Sequence, residues 1–117
     1  MTDHAIVVAD ADGKITRWNA GAEALFGPSA AAALGQSQDF IIPGALRARH
    51  WAGFRRAMQA PQVKDLAADL PVLCADGQVG DFAGRLLVLC DGLGAALGAM
   101  GIFTAEGTTG IRPFGCR

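Results

Sequence analysis

Residues 5–27 read AIVVADADGKITRWNAGAEALFG, and this stretch decides the fold. A short β-branched run over residues 5–9 ends at the sequence Asp-Ala-Asp-Gly, and residues 14–18 then alternate between polar and apolar side chains. Two such runs around an Asp-Gly turn predict a β-hairpin. Asn19 follows as a candidate N-cap for a short helix over residues 20–26, which the Gly-Pro pair after it ends.

The rest of the chain is predicted to be helical first and extended second. Predicted helical segments are a short run capped by Ser29, a turn over residues 39–42 and a longer helix from about Gly44 to Met58. Predicted strands cover residues 66–73, 79–90 and 95–105, with Asp-Gly turns between them. This order predicts an α+β fold in which short helices and one longer helix cross one face of a five-stranded antiparallel sheet.

Composition limits the class of protein. The 117 residues suffice for one domain, predicted over residues 1–106, and the glycine- and threonine-rich residues 107–117 are predicted to be a flexible tail. With 51% hydrophobic residues, 18% charged residues and a net charge of -1, the chain is neither a disordered protein nor a typical nucleic-acid binder.

Targeting and membrane signals are weak in this sequence. Met1 is followed by Asp3 and His4 instead of a basic segment, so no signal peptide is predicted. The apolar stretch from residue 86 to residue 103 is interrupted by an Asp-Gly pair at Asp91, which favours a turn between strands over a membrane span. The three cysteines form no CxxC pair. A reducing cytoplasm is therefore the predicted location.

The long predicted helix carries a histidine on its inward face. At 100° per residue, Leu46, His50 and Phe54 fall close to one line. A histidine directed at a core is either a structural group with a hydrogen-bond partner or a ligand, and helical phase alone leaves both interpretations open.

Several short motifs together resemble a PAS domain over residues 5 to about 105. The matching segments are Asp12-Gly13-Lys14-Ile15, Trp18-Asn19, Ala22-Glu23, Leu25-Phe26-Gly27, Leu34-Gly35 and Ala75-Asp76-Gly77. PAS domains are sensory and dimerising modules that hold a small ligand between their helices and the inner face of the sheet. The resemblance implies the same fold that the strand and helix order predicts.

The long helix is also similar to that of haem-binding PAS sensors. Pro43, Leu46, Arg47 and His50 stand at the positions of a Pro-x-x-Leu-Arg-x-x-His pattern, in which the histidine binds the haem iron. The resemblance therefore implies haem b as cofactor, His50 as the metal ligand and Arg47 as the cation near the haem carboxylates. An apolar pocket is expected from the residues Leu46, Phe54, Ile41, Leu66, Leu70, Leu86 and Val88.

The strand after the long helix departs from the oxygen-sensing relatives. Residues 66–70 contain neither the arginine nor the methionine that those relatives place beside the bound gas. Oxygen would find no hydrogen-bond donor there, whereas carbon monoxide or nitric oxide would lose less. The expected function is gas or redox sensing and signal transduction, with a diatomic gas as ligand.

The alternative is a cofactor-free PAS module for dimerisation, protein–protein interaction or binding of a small metabolite. Leu87 and Leu89 point to the outer face of the sheet, so an apolar homodimer interface is expected there, unless the chain's own termini cover it. A separate signalling partner protein is also expected. No catalytic triad or paired-carboxylate pattern is present, so the chain is not predicted to be an enzyme.

Overall fold

A computed structural model describes residues 4–61, 65–105 and 107–111 of the chain, without the side chains of Asp65 and Leu66. In chain order its elements are β1 (Ala5–Asp10), β2 (Ile15–Trp18), α1 (Ala20–Phe26), α2 (Ala30–Ala33), the 3₁₀ turns η1 (Gln38–Phe40) and η2 (Gly44–Leu46), α3 (Arg47–Gln59), β3 (Asp65–Leu73), β4 (Val79–Cys90) and β5 (Ala96–Phe103).

The five strands form one antiparallel sheet in the order β2-β1-β5-β4-β3. The β1–β2 hairpin predicted around the Asp-Gly turn is present, with Val7 opposite Trp18. The first strand also pairs with the last, so that Ala5 lies opposite Phe103. This long-range pairing brings the N-terminal hairpin beside the three C-terminal strands and leaves β2 and β3 as the edges.

Local signals explain how α1 begins and ends. The Asn19 side chain accepts a hydrogen bond from the amide of Ala22 at 2.9 Å and another from the amide of Ile6 at 2.8 Å. It therefore caps the helix and ties it to β1, as the sequence predicted for the cap. Gly27 ends the helix with a φ of 107°, which a residue with a Cβ rarely adopts.

The long predicted helix consists of two parts. Pro43 precedes η2, and the chain then continues directly into the 13 residues of α3. Proline is favoured at such a start because its φ is fixed and it needs no hydrogen-bond acceptor. The two parts together run one residue beyond the predicted end at Met58.

The core lies between the sheet and the helical segments. Phe26 of α1 is 1% exposed, and its ring packs edge-on against Phe82 and Phe103, each with a centroid distance of 5.1 Å. Trp18 packs against Phe26 and donates a hydrogen bond to the carbonyl of Pro28 at 2.9 Å. The α+β fold class with one five-stranded antiparallel sheet is thus confirmed.

The start of the predicted tail has a defined place beside β3. The amide of Asp69 donates a hydrogen bond to the carbonyl of Ile111 at 2.8 Å, and residues 108–110 bond to the Asp69 side chain. The rest of that tail, including Cys116, lies outside the described residues. Within the described part of the chain, no helix is long and apolar enough to cross a membrane.

Candidate ligand site around His50

One face of α3 is turned toward the interior, as the helical phase predicts. Leu46 is 7% exposed and Phe54 is 9% exposed, and half-buried His50 lies between them along the same face. The residues between them on the other face, Arg49 and Ala52, are exposed. Helix α3 therefore presents one imidazole among apolar side chains toward the interior.

Two aromatic rings of the same helix surround the His50 ring. The Phe54 ring stacks on it with a centroid distance of 6.1 Å and an interplanar angle of 27°. The Trp51 ring meets it edge-on at 4.9 Å. The Nδ1 atom of His50 is buried and has no hydrogen-bond partner among the described residues. A buried polar atom without a partner costs about 1–3 kcal/mol, so this nitrogen is a candidate ligand atom.

Burial also determines the charge of His50. Loss of solvent lowers the pKa of the imidazole below its ordinary value of 6.5, and the negative charge of Asp39 opposes this shift only in part. The ring is therefore neutral at pH 7. A neutral imidazole keeps the lone pair that a metal ion or a hydrogen-bond donor requires.

Asp39 connects η1 to the first turn of α3. Its Oδ1 atom accepts a hydrogen bond of 2.7 Å from Nε1 of Trp51. The backbone carbonyl of Asp39 accepts a 3.2 Å hydrogen bond from Nη2 of Arg47. The Nε atom of Arg47 lies 3.9 Å from the Asp39 carboxylate. The same Nε atom donates a 3.2 Å hydrogen bond to the carbonyl of Ile42. The guanidinium that the resemblance assigned to haem carboxylates is thus directed back at η1.

The apolar residues predicted to line the pocket fall into three groups. Ile41 and Leu70 belong to the main core cluster that contains Phe26, whereas Leu46 and Phe54 are buried beside His50 outside that cluster. Leu86 and Val88 form a third, more open group. Leu66 pairs with Leu86 in the sheet, and its side chain lies outside the described residues.

The third group lies on the inner face of the sheet. A Cβ added to Gly101, which is opposite Leu86 in register, would lie 3.7 Å from Leu86 Cδ2 and 2.8 Å from Phe103 Cε2. Leu86 therefore shares a face with the buried ring of Phe103. It is nevertheless 37% exposed, and Val88 is half-buried. The inner face of β4 is consequently less covered at this end than near Phe82.

Sequence reasoning missed two parts of this region. The first is the contact of Trp51 with Asp39 and with Gly13, because no local pattern relates residues on separate elements. The second is Gln38, which is 8% exposed and whose Oε1 atom has no partner among the described residues. Gln38 and Ile41 are three residues apart, so they share the buried side of the 3₁₀ turn. A buried glutamine could have been suspected only from that spacing.

The described donor set of the site consists of one imidazole. In the part of the chain that the structure describes, no three His, Cys, Asp or Glu residues come together as metal ligands. A free divalent metal ion would need such a group. Haem iron needs a single axial protein ligand, because the porphyrin supplies the others, and a neutral imidazole with a buried nitrogen fits that role.

Comparison with known proteins establishes the family. Residues 2–105 match the family model described as the PAS fold. The chain therefore belongs to the PAS fold family and is a sensory PAS domain. No curated protein matches it.

Solved structures show the same fold. The PAS domain of a protein from Colwellia psychrerythraea superposes with a TM-score of 0.72 at 26% identity, covering 86% of this chain and 84% of that one. The Drosophila melanogaster Cycle PAS-B domain with bound ethylene glycol gives a TM-score of 0.68 at 14% identity, over 86% and 97% of the two chains. The LOV protein of Rhodobacter sphaeroides gives 0.69 at 18% identity, over 93% and 62%.

Proposed function

We propose that this PAS domain is a gas or redox sensor that binds haem b on the inner face of its sheet, with His50 as the axial iron ligand. The observation that carries the proposal is the buried Nδ1 of a neutral imidazole, which has no hydrogen-bond partner in the part of the chain that the structure describes. A coordinate bond satisfies such a nitrogen without a protein hydrogen bond. Haem supplies reversible binding of diatomic gases and a one-electron redox change.

Residues of α3 and of the sheet would contribute to haem binding in different ways. Phe54, stacked on the His50 ring, fixes the plane of the imidazole and excludes water from it. The open apolar surface at Leu86 and Val88 provides the contact area on the sheet. Since residues 66–70 lack an arginine and a methionine, the gas side offers no charged donor. Carbon monoxide and nitric oxide are therefore preferred over oxygen.

The engagement of Arg47 with Asp39 does not prevent a second role. The ion pair has a nitrogen–oxygen distance of 3.9 Å, and its side chains are 44% and 43% exposed. Pairs of this kind contribute roughly 0–1 kcal/mol. Loss of this ion pair thus costs little, and the two hydrogen bonds from Arg47 to the carbonyls of Asp39 and Ile42 are the contacts that a haem carboxylate would have to replace.

Titration of the purified protein with hemin tests the proposal. The wild-type chain is expected to develop a Soret band that saturates at one haem per chain, and His50→Ala is expected to abolish or displace it. His4→Ala is the matched control, because it removes the exposed second histidine of the two in the sequence and should keep the band. No saturable band in the wild-type protein, or the same band in His50→Ala, contradicts haem ligation by His50.

A second candidate is a cofactor-free PAS module. It is favoured by the packing of Ile41 and Leu70 into the main core cluster, where they are already buried without any cofactor. This module would act through a homodimer on the outer sheet face or through a partner protein. It predicts a colourless protein after hemin treatment, with His50 dispensable for assembly.

A further inference from the structure

Alternate residues of β3 present their backbone groups to the edge of the sheet that faces away from β4. The carbonyl of Ala83 accepts a 2.8 Å hydrogen bond from the amide of Thr104, so the backbone groups of Ala83 face β5. Asp69 lies opposite Ala83, and its backbone groups must then face away from β4. With the alternation of a strand, Ala67, Asp69, Pro71 and Leu73 all present their backbone groups to the outer edge.

Three of these four positions are closed, each in a different way. The amide of Leu73 donates to the carbonyl of Ile41 at 2.9 Å. Pro71 has no amide hydrogen to donate. The amide of Asp69 donates to the carbonyl of Ile111 at 2.8 Å. Natural sheets protect their edges with prolines and covering segments because an open edge pairs with other chains.

The cover at Asp69 is a strap that consists of residues 108–111. The Asp69 carboxylate accepts hydrogen bonds from the Thr108 hydroxyl, from the Thr109 amide at 2.6 Å and hydroxyl at 3.0 Å, and from the Gly110 amide at 3.1 Å. One side chain therefore holds three consecutive residues of the strap. The strap therefore lies beside β3, which β4 separates from β5 in the sheet.

Asp69 points away from the core. Its neighbours Ala68 and Leu70 are buried on the inner face, at 4% and 5% exposure, so the Asp69 side chain lies on the outer face. The four hydrogen bonds hold the pKa of its carboxyl at about 2. The carboxylate thus stays ionised at physiological pH, and displacement of the strap, not protonation, is what would open the edge.

We propose that the strap is an autoinhibitory cover that keeps the β3 edge from pairing with β3 of a second copy of this chain. The edge is able to pair with an extended segment, because the amide of Asp69 already donates to the carbonyl of Ile111 as it would to a neighbouring strand. Without the strap, the outward groups of Asp69 become available beside those of Ala67, while Pro71 limits pairing at the other end. An antiparallel pair related by two-fold symmetry fits such a short self-complementary edge.

Replacement of the Asp69 carboxylate tests the proposal in the 117-residue chain. Asp69→Ala is expected to raise the mass measured by light scattering above that of wild type at the same concentration, because each uncovered β3 edge then pairs with the edge of another chain. Amide hydrogen exchange at Asp69, Thr109 and Gly110 should rise at low concentration, with the exchange of Leu70 unchanged. Asp12→Ala is the matched control, because it removes an exposed carboxylate from the β1–β2 turn and should change neither quantity.

A second substitution distinguishes edge pairing from association elsewhere. Ala67→Pro in the Asp69→Ala background removes an outward amide, as Pro71 does naturally, and should return the mass to the wild-type value. If Asp69→Ala does not fold, judged by circular dichroism, a variant with Thr108→Val and Thr109→Val replaces it. An unchanged mass in a folded variant whose strap amides exchange faster overturns the edge pairing. Unchanged exchange at these amides overturns the role of Asp69.

Discussion

Nε1 of Trp51 donates a 2.7 Å hydrogen bond to Oδ1 of Asp39, which ties the N-terminal half of α3 to η1. His50 is adjacent to Trp51 and within the electrostatic reach of the same carboxylate. The position and the pKa of the candidate ligand residue therefore depend on a residue that no motif of the helix contains.

Removal of the Asp39 charge is expected to lower the pKa of His50 further. Asp39→Asn keeps an oxygen that can accept from Trp51 but loses the negative charge that favours the imidazolium form. Nuclear magnetic resonance titration of the histidine ring signals measures the shift, with Asp12→Asn as a charge-matched control. A His50 pKa that is unchanged or raised in Asp39→Asn contradicts the assigned interaction.

His50 should make the domain less stable in mild acid. Its pKa is below 6.5 in the folded state, so the unfolded chain binds the proton more readily. The stability that the neutral ring contributes is complete above the unfolded pKa of 6.5 and is lost as the pH falls toward the folded value. Urea unfolding at several pH values should show a loss below about pH 6.5 that His50→Phe reduces. Equal pH dependence in both proteins would exclude His50 as its source.

Gly13 should not tolerate a side chain. Its φ is +83°, and a Cβ would lie 2.3 Å from Cη2 of Trp51. We expect Gly13→Ala to lower the free energy of unfolding by about 2–4 kcal/mol. The loss has two causes, because the added Cβ strains the left-handed backbone and also displaces the indole of Trp51. Gly35→Ala separates the two causes, because Gly35 has a φ of +84° with nothing within 4 Å of the added Cβ. That variant should lose only about 1 kcal/mol. Equal losses in both variants would mean that the Trp51 contact contributes nothing.

The outer sheet face is the expected homodimer interface. Leu87 and Leu89 are only half-buried in the single chain, as are Ile6 and Val8 of β1. Leu87→Asp places a charge within this apolar surface and is expected to halve the mass in solution, measured by light scattering. Leu93→Asp, at a turn residue that is 98% exposed, should leave the mass unchanged. A wild-type monomer, or a dimer that Leu87→Asp does not affect, removes this interface.

Some features of the molecule follow from local sequence alone. The Asp-Gly turn and the alternating residues predict the first hairpin, because a tight turn and a period of two need no distant contact. Asn19 predicts the start of α1 for the same reason, since a cap bonds to an amide within its own helix turn. The helical phase of Leu46, His50 and Phe54 likewise predicts their common burial.

Only the tertiary structure decided the partners of those residues. Asp39, Trp51 and Gly13 lie on three separate elements and meet because η1 and α3 pack beside the β1–β2 turn. The same packing leaves Nδ1 of His50 without a hydrogen-bond partner among the described residues and places Arg47 against the backbone carbonyl of Asp39. Asp69 and residues 108–111 meet because β3 is the edge of the sheet. Contacts of this kind depend on strand order and chain crossing, which short-range sequence patterns do not encode.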